Sequence, residues 1–275
     1  MSEKSDASCG VYRFFRCFFV GVYRMILDDE RLDEVNDSIK LIQKKNGLTY
    51  GTDAYLLYAY LKKRPNATAA DLGAGTGIIS LLALSRDKIK TVHAIEVQGS
   101  FSDLISRNAS LNNMSNRLLA HCQNVCDLKS YDLGGEVDVV FSNPPYMTVT
   151  SGFHNEHGEK FIARHEALGT IEDFCQAANR ILKFGGSFYL VYRTDRLCDL
   201  VSALRASGLE PKRMTVVYNR ENQAPTLLLL EAKKGAAPGL FVTKPLILAN
   251  SDGAMTKELS DIYENGVFNE QYERP

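Results

Sequence analysis

The segment ATAADLGAGTGIISLLAL, residues 67–84, decides the fold because it joins two apolar runs through a glycine-rich turn. The run that ends at Leu72 predicts a buried strand, and the run that begins at Ile78 predicts a helix. A strand, a glycine loop and a helix in this order form the nucleotide-binding turn of doubly wound folds. We therefore predict an α/β fold with a mostly parallel, doubly wound, Rossmann-like sheet.

The spacing of the glycines favours S-adenosylmethionine over a dinucleotide as the ligand. Gly73, Gly75 and Gly77 follow the acidic residue Asp71 in the pattern G-x-G-x-G, whereas a dinucleotide fingerprint reads G-x-G-x-x-G. An acid followed by G-x-G-x-G is the pattern that S-adenosylmethionine enzymes use. Glu96 ends the next predicted strand, where a carboxylate can accept hydrogen bonds from both ribose hydroxyls.

A third predicted strand, Leu118–Cys122, is followed by another acidic residue. Asp127 lies shortly after this strand, where a carboxylate can accept a hydrogen bond from an adenine amino group. Asn124 lies in the same stretch, so the sequence leaves both residues as candidates. The residues that we expect at the cofactor from these patterns are Asp71, the three glycines, Glu96 and Asp127.

The stretch VVFSNPPY, residues 139–146, places an amide, two prolines and an aromatic residue after a short buried strand. Proline fixes its own φ and holds the preceding residue extended, so Asn143 and Pro144 form a stiff turn at the ligand-binding edge of the sheet. The Asn143 side-chain carbonyl and the Pro144 backbone carbonyl suit one planar NH2 group, and Tyr146 is placed to stack on a flat ring. The alternative is a plain proline-rich turn.

The composition is that of an ordinary globular protein. The chain has 275 residues, 45% of them hydrophobic, and a net charge of −1, so no overall positive field favours nucleic acid. The basic groups Lys44–Lys45, Lys62–Arg64 and Lys212–Arg213 are candidates for a local basic patch. The six cysteines follow no disulfide framework, which favours a reducing, cytoplasmic location. Cys122 and Cys126 are interpreted as small core residues rather than zinc ligands.

Residue patterns divide the chain into four parts. Residues 1–24 form an extension of unknown role, too short and too interrupted by arginine to span a membrane. We expect no membrane association, although a surface anchor is the alternative for this extension. Residues 25–66 form an N-terminal cap and entry helix, residues 67–235 form the core, and residues 236–275 form a C-terminal tail packed on the core.

Apolar runs at both ends of the core predict further elements. Tyr55–Leu61 predicts the entry helix, for which Thr52 or Asp53 is a good N-cap. Pro211–Tyr218 and Thr226–Glu231 predict two successive strands of an antiparallel hairpin.

The long connection between residues 147 and 170 carries several basic and histidine residues. Connections of this length in a compact domain are usually functional or mobile. Arg164 and His165 are candidates for contact with a substrate phosphate, and a local ion pair explains them equally well. His154 and His157 have the spacing of a metal-binding pair, but no third ligand follows at a suitable distance. We therefore predict no metal.

Taken in order, the glycine loop, Glu96 and the Asn-Pro-Pro-Tyr motif resemble class I S-adenosylmethionine-dependent methyltransferases of the Asn-Pro-Pro-Tyr type. Four further segments make the resemblance narrower: Glu30–Glu34, Tyr50–Ala54, Ile162–Glu166 and Leu229–Ala232. Together they look like the bacterial tRNA1(Val) adenine-37 N6-methyltransferase family, over roughly residues 28–265. Residues 1–24 have no counterpart in it.

The resemblance implies a seven-stranded sheet with a terminal antiparallel hairpin, and S-adenosylmethionine as the methyl donor. It makes Asn143, Pro144 and Tyr146 the catalytic residues, with Asn143 also bordering the cofactor. It places Thr52 and Asp53 near the methionine end of that cofactor. The implied reaction is transfer of a methyl group to the N6 amine of adenine in RNA, most simply adenine 37 of a tRNA.

Three alternatives to this function stay open. Release-factor glutamine methyltransferases share the Asn-Pro-Pro-Tyr motif, and an amide NH2 group would use the same two acceptors. Amino-group methyltransferases of rRNA and DNA share it too. The third alternative is a binding protein that keeps the fold without turnover, which the intact motif residues argue against. The sequence does not decide between a monomer and a dimer.

Overall fold

The computed structural model describes residues 26–46, 50–145 and 169–269, which form a small hairpin and a large central sheet with helices on both faces. The hairpin consists of β1 (Glu30–Asn36) and β2 (Ile39–Lys44). The strands of the central sheet are β3 (Arg64–Leu72), β4 (Ile89–Glu96), β5 (Leu118–Cys122), β6 (Val137–Ser142), β7 (Leu182–Arg193), β8 (Leu209–Arg220), β9 (Leu227–Lys234), β10 (Phe241–Val242) and β11 (Leu246–Ala249).

The described residues form six α-helices, and the first two contain the apolar runs from which helices were predicted. They are α1 (Thr52–Tyr60), α2 (Ile78–Ser85), α3 (Gly99–Leu111), α4 (Ile171–Ile181), α5 (Leu197–Ala206) and α6 (Lys257–Asn265). Among the described residues, no helix is both long and apolar enough to cross a membrane.

The strand order in the sheet is β10-β8-β9-β7-β6-β3-β4-β5, and β11 also pairs with β8. Only the pairs that involve β9 are antiparallel, so the prediction of a doubly wound, mostly parallel α/β fold is confirmed. Strands β3 to β9 are the seven predicted strands, and β8 and β9 are the terminal hairpin. The described sheet has nine strands because β10 and β11 add to its edge, where runs of two and four residues give too short a pattern to predict.

Two apolar layers cover the faces of the sheet. One layer packs α1, α2, α3, α6 and β2 against it, and the other packs α4 and α5. Every residue of α1 from Ala54 to Tyr60 is buried, because α1 lies between the sheet and α6. Cys122 and Cys126 are exposed, so the interpretation of both as core residues is wrong. They lie at the end of the short strand β5 and in the turn beyond it.

The N-cap prediction for α1 is also wrong. The cap position is Gly51, and no side chain caps the helix. The Asp53 carboxylate instead accepts from the neighbouring Ala54 N–H at 3.0 Å and from Asn143, while the Thr52 hydroxyl bonds to Tyr263. Both side chains therefore form hydrogen bonds other than an N-cap bond.

Two asparagines, Asn108 of α3 and its C-cap Asn112, hold the edge of β2 as a neighbouring strand would. The amide of Asn108 accepts from the Ile42 N–H at 2.7 Å and donates to the Ile42 carbonyl at 3.0 Å. Asn112 repeats the pattern with Lys40, at 2.9 and 2.7 Å. Four helical residues rise about 6 Å, close to the roughly 6.6 Å of two strand residues, so the two repeats match. The hairpin is thereby fixed beside the glycine loop.

We expect Asn108→Ala to lower the free energy of unfolding by about 2–4 kcal/mol. Asn108 is fully buried and also donates to the Thr76 carbonyl at 3.0 Å, so its loss leaves three backbone groups without this partner. Each unsatisfied buried group costs about 1–3 kcal/mol. Urea denaturation measures the change, with the exposed Asn116→Ala as a control expected within about 0.5 kcal/mol of wild type. Equal stability of the two variants would contradict the bridging role.

Candidate active site

Three adjacent parallel strands end at one edge of the sheet and bring the predicted residues together. The order β6-β3-β4 and the register, in which Asp71 lies opposite both Phe141 and Ala94, set these strand ends side by side. The glycine loop follows β3, Glu96 ends β4, and Asn143 follows β6. Residues from three distant parts of the sequence therefore meet at the edge where such sheets bind ligands.

The glycine loop has backbone angles that favour glycine. Gly73, Gly75 and Gly77 have φ values of 71°, 55° and 80°. A Cβ atom at Gly75 would meet no heavy atom within 4 Å, so the described part of the loop leaves open space there. Gly77 is the N-cap of α2, and the N-terminus of that helix carries unsatisfied N–H groups. The loop therefore offers a cradle of N–H groups that a ligand can approach closely.

The Glu96 carboxylate is held in one orientation at this cradle. One oxygen accepts from the Gly75 N–H at 3.0 Å, and the other accepts from the Gln98 N–H at 3.0 Å. Glu96 is buried, at 5% exposure, so these bonds supply the polar partners that burial requires. A carboxylate oxygen has two lone pairs, so each oxygen retains capacity for a ligand hydroxyl.

A residue of α1 holds the Asn143 side chain. Its amide nitrogen donates to the Asp53 carboxylate at 2.7 Å, which fixes the direction in which the amide carbonyl points. The preceding residue, Ser142, donates from its hydroxyl to the Leu72 carbonyl at 2.7 Å and fixes the end of β6 against β3. Pro144 is buried behind Asn143. The amide therefore occupies a set position beside the glycine loop.

The remaining candidate residues either lie away from the contacts described above or fall outside the described residues. Asp127 is exposed in the turn after β5, and Asn124 in the same turn accepts from the Cys126 N–H at 3.0 Å. Tyr146, Arg164 and His165 lie outside the described residues. The same holds for His154 and His157.

Three residues of the predicted basic groups, Lys44, Lys62 and Arg213, form ion pairs within the protein, and the patch itself stays a prediction. Lys62 and Arg213 form ion pairs with the buried carboxylate of Glu231, at 2.8 and 3.1 Å. Lys44 pairs with Asp29 and Glu30. These charges are paired within the protein because each lies beside a carboxylate from another strand or turn.

Sequence reasoning missed several residues that shape this edge. Asn108 joins β2 to the glycine loop through Thr76, and Tyr263 reaches Thr52 from the C-terminal helix. The signal for Asn108 was a polar residue on the inward face of α3. Tyr263 had no local signal, because its partner lies 211 positions away.

The comparison with protein families decides what kind of enzyme this is. The family model described as the methyltransferase small domain matches residues 45–207, more than half of the chain. The chain belongs to the methyltransferase small domain family. The matched segment contains α1, the glycine loop, Glu96 and Asn143, which are the parts that meet at the strand ends.

Individual relatives agree with this family. A tRNA1(Val) (adenine(37)-N6)-methyltransferase of Aliivibrio fischeri is 27% identical over 207 residues, which cover 75% of this chain and 86% of the relative. The protein of the same name from Porphyromonas gingivalis is 28% identical over 187 residues, covering 66% and 72%. A solved structure from Agrobacterium tumefaciens, described as a predicted O-methyltransferase, has a TM-score of 0.64 at 21% identity, covering 79% of this chain and 98% of that one. This last likeness shows the methyltransferase fold.

As a class I methyltransferase, the chain uses S-adenosylmethionine as its methyl donor. The described residues fit that molecule. The Asp71 side chain is 1% exposed; one of its oxygens accepts from the Ser80 hydroxyl at 2.7 Å. The other oxygen has no hydrogen-bond partner among the residues that the structure covers. A buried acceptor without a partner beside the glycine loop suits the ammonium group of a methionine moiety.

Burial raises the pKa of the Asp71 carboxyl to about 7, the Ser80 hydroxyl lowers it in part, and the charge of Glu96 adds to the rise. Between pH values near 3.8 and 7, the folded chain therefore holds a proton that the unfolded chain has released. The contribution of this group to stability is present below pH 3.8 and is lost as the pH rises towards 7.

We expect Asp71→Asn to abolish the part of the fall in unfolding free energy that the Asp71 carboxyl causes as the pH rises towards 7. The difference in unfolding free energy between variant and wild type should grow in favour of the variant as pH rises from about 4 to about 7, and then stay constant. Urea denaturation across this pH range, without cofactor, measures it. Asn116→Ala, which is exposed and removes no titrating group, is the control expected to parallel wild type. A parallel profile for Asp71→Asn would contradict the raised pKa.

Proposed function

We propose that this methyltransferase transfers a methyl group from S-adenosylmethionine to the exocyclic N6 amine of adenine in RNA, with adenine 37 of a tRNA as the substrate. The observation that carries the proposal is the hydrogen bond between Asn143 and Asp53 at 2.7 Å, because it sets the orientation of the amide that would receive the amine. The two named tRNA relatives support the choice of nucleotide and of RNA class.

The exocyclic amine of adenine is a poor nucleophile because its lone pair is delocalised into the ring. In this proposal, the side-chain carbonyl of Asn143 and the backbone carbonyl of Pro144 each accept one hydrogen of the amine. Two fixed acceptors favour a pyramidal nitrogen whose lone pair is directed away from the ring. They also stabilise the positive charge that grows on the nitrogen as it is methylated.

Asp53 contributes by keeping the Asn143 amide from rotating. An asparagine amide can present either its oxygen or its nitrogen, and only the oxygen can accept from an amine. Since the Asp53 carboxylate accepts from the amide nitrogen, it selects the orientation in which the amide oxygen points away from Asp53. Correct placement of two reactants can supply roughly 7–11 kcal/mol of the barrier reduction.

The other proposed roles follow from the positions of the groups at the strand ends. When bound, S-adenosylmethionine supplies an electrophilic methyl group on a sulfonium that is a good leaving group. Glu96 would accept from its ribose hydroxyls and Asp71 from its ammonium group, with the loop Gly73–Gly77 beneath. Tyr146 would stack on the extruded base, worth about 1–3 kcal/mol by comparison with other stacked bases. Arg164 and His165 would contact phosphate.

We expect Asn143→Ala to lower kcat by at least about 100-fold while the affinity for S-adenosylhomocysteine changes less than about threefold. The reason is that the amide acts on the amine and not on the cofactor. Glu96→Ala is the matched variant, for which the affinity should fall by about tenfold or more as charge-assisted bonds are lost. Calorimetry and single-turnover kinetics separate the two effects. Equal loss of affinity in both variants would contradict the assigned roles.

The substrate is tested with methyl-labelled S-adenosylmethionine in separate reactions with unmodified total tRNA, rRNA, DNA and release factor. We expect labelled N6-methyladenosine after nuclease digestion and mass spectrometry, mapped to adenine 37. The Asn143→Ala protein is the control that should transfer no label. Label in rRNA, DNA or a release-factor glutamine, with none in tRNA, would overturn the proposed substrate and keep the methyltransferase assignment.

A further inference from the structure

The C-terminal helix α6 lies against α1, outside the segment matched by the family model. That segment ends at residue 207, whereas α6 covers Lys257–Asn265. Leu259 and Ile262 of α6 are buried in the same apolar layer as α1. The C-terminal helix is therefore part of the packed structure around α1.

Contacts between the two segments run along the whole of α1. At the end of α1, the ring of Phe268 packs edge-on against Tyr60 with centroids 5.0 Å apart. Two residues before that end, Gly266 lies so close to the Tyr58 hydroxyl that a side chain at position 266 would overlap it. These contacts fix the separation of the two segments near the C-terminal end of α1. They do not involve its first turn.

The first turn of α1 is joined to α6 by a hydroxyl pair. The Tyr263 hydroxyl and the Thr52 hydroxyl are 2.8 Å apart, and the Tyr263 ring packs edge-on against Tyr55 with centroids 4.7 Å apart. No side chain caps α1 at Gly51, so the N-cap position itself supplies no side-chain bond to this turn. The hydroxyl pair supplies a restraint from the opposite end of the sequence.

We propose that Tyr263 is a positioning residue for methyl transfer, acting through Thr52 on the Asp53–Asn143 hydrogen bond. Thr52 and Asp53 are consecutive residues of one helical turn, so a bond that holds the first also holds the backbone of the second. The carboxylate of Asp53 in turn orients the Asn143 amide. This inference rests on the proposed function, because it assigns to Asn143 the contact with the amine.

The test begins with Tyr263→Phe in the full chain, which removes the hydroxyl and keeps the ring contact with Tyr55. We expect kcat for tRNA methylation to fall about threefold to tenfold, which corresponds to the loss of one hydrogen bond that positions the reacting groups. The affinity for S-adenosylhomocysteine and the melting temperature should stay close to wild type. Tyr131→Phe, at a tyrosine that is 76% exposed, is the matched control with unchanged kcat.

A double-mutant cycle with Thr52→Val tests the route of the effect. If the two hydroxyls act as one pair, removing either one should have the same effect as removing both. The kcat values of Tyr263→Phe, Thr52→Val and the double variant should then agree within about twofold. Additive losses would overturn the proposal, and so would wild-type kcat in Tyr263→Phe. A fall in cofactor affinity equal to the fall in kcat would also overturn it, because the hydroxyl would then act on the cofactor site.

A spectroscopic measurement separates failure of this inference from failure of the proposed function. The side-chain NH2 signals of Asn143 in 15N-labelled protein can be assigned by their absence from Asn143→Ala. We expect Tyr263→Phe to shift these signals and to speed their hydrogen exchange, with no such change in Tyr131→Phe. This result is readable even if wild type does not methylate tRNA. Unchanged signals would overturn the positioning role whatever the substrate is.

Discussion

The hydrogen bond between Asn143 and Asp53 joins two parts of the chain that lie 90 positions apart. Asn143 is placed by the sheet, because β6 ends there and Ser142 fixes that end to β3. Asp53 is placed by α1, which the sheet and α6 enclose. The orientation of one amide therefore depends on both the sheet and the helical layer that contains α1, and an error in either would rotate or release it. The first turn of α1 has no capping side chain at Gly51, and two bonds to distant parts of the chain hold it instead.

Polar groups inside the structure carry much of this positioning. Asn108 is fully buried and bonds to the backbone of both β2 and the glycine loop, so it couples the hairpin to the loop. An amide buried in this way stabilises only one arrangement of its neighbours, since any other leaves its groups without partners. Asp71 has the opposite character. One of its oxygens has no described partner, and burial without such a partner raises the pKa of the carboxyl.

The order of elements was predictable from sequence, whereas the contacts between distant segments were not. Gly73, Gly75 and Gly77 indicated the loop because positive φ angles at three alternate positions leave few other residues possible. The placement of Glu96 and Asn143 at strand ends followed from apolar runs of strand length. The cap of α1 was predicted wrongly, because composition rules cannot show that Thr52 and Asp53 bond to residues 211 and 90 positions away. Strands β10 and β11 were missed because short edge strands carry too few residues to show a period.

The basic residues show why charge counted along a sequence is a poor guide to an RNA-binding surface. Lys62 and Arg213 were grouped among candidates for a basic patch, yet both form ion pairs with Glu231, whose side chain is 1% exposed. A buried carboxylate needs such partners, since leaving it unpaired costs several kcal/mol. Removing either cation would therefore weaken the packing around Glu231 before it altered any contact with a nucleic acid. Loss of activity in such a variant would reflect damage to the packing of the sheet rather than a lost contact with RNA. The RNA interface therefore has to be mapped with substitutions of cations outside this ion-pair cluster.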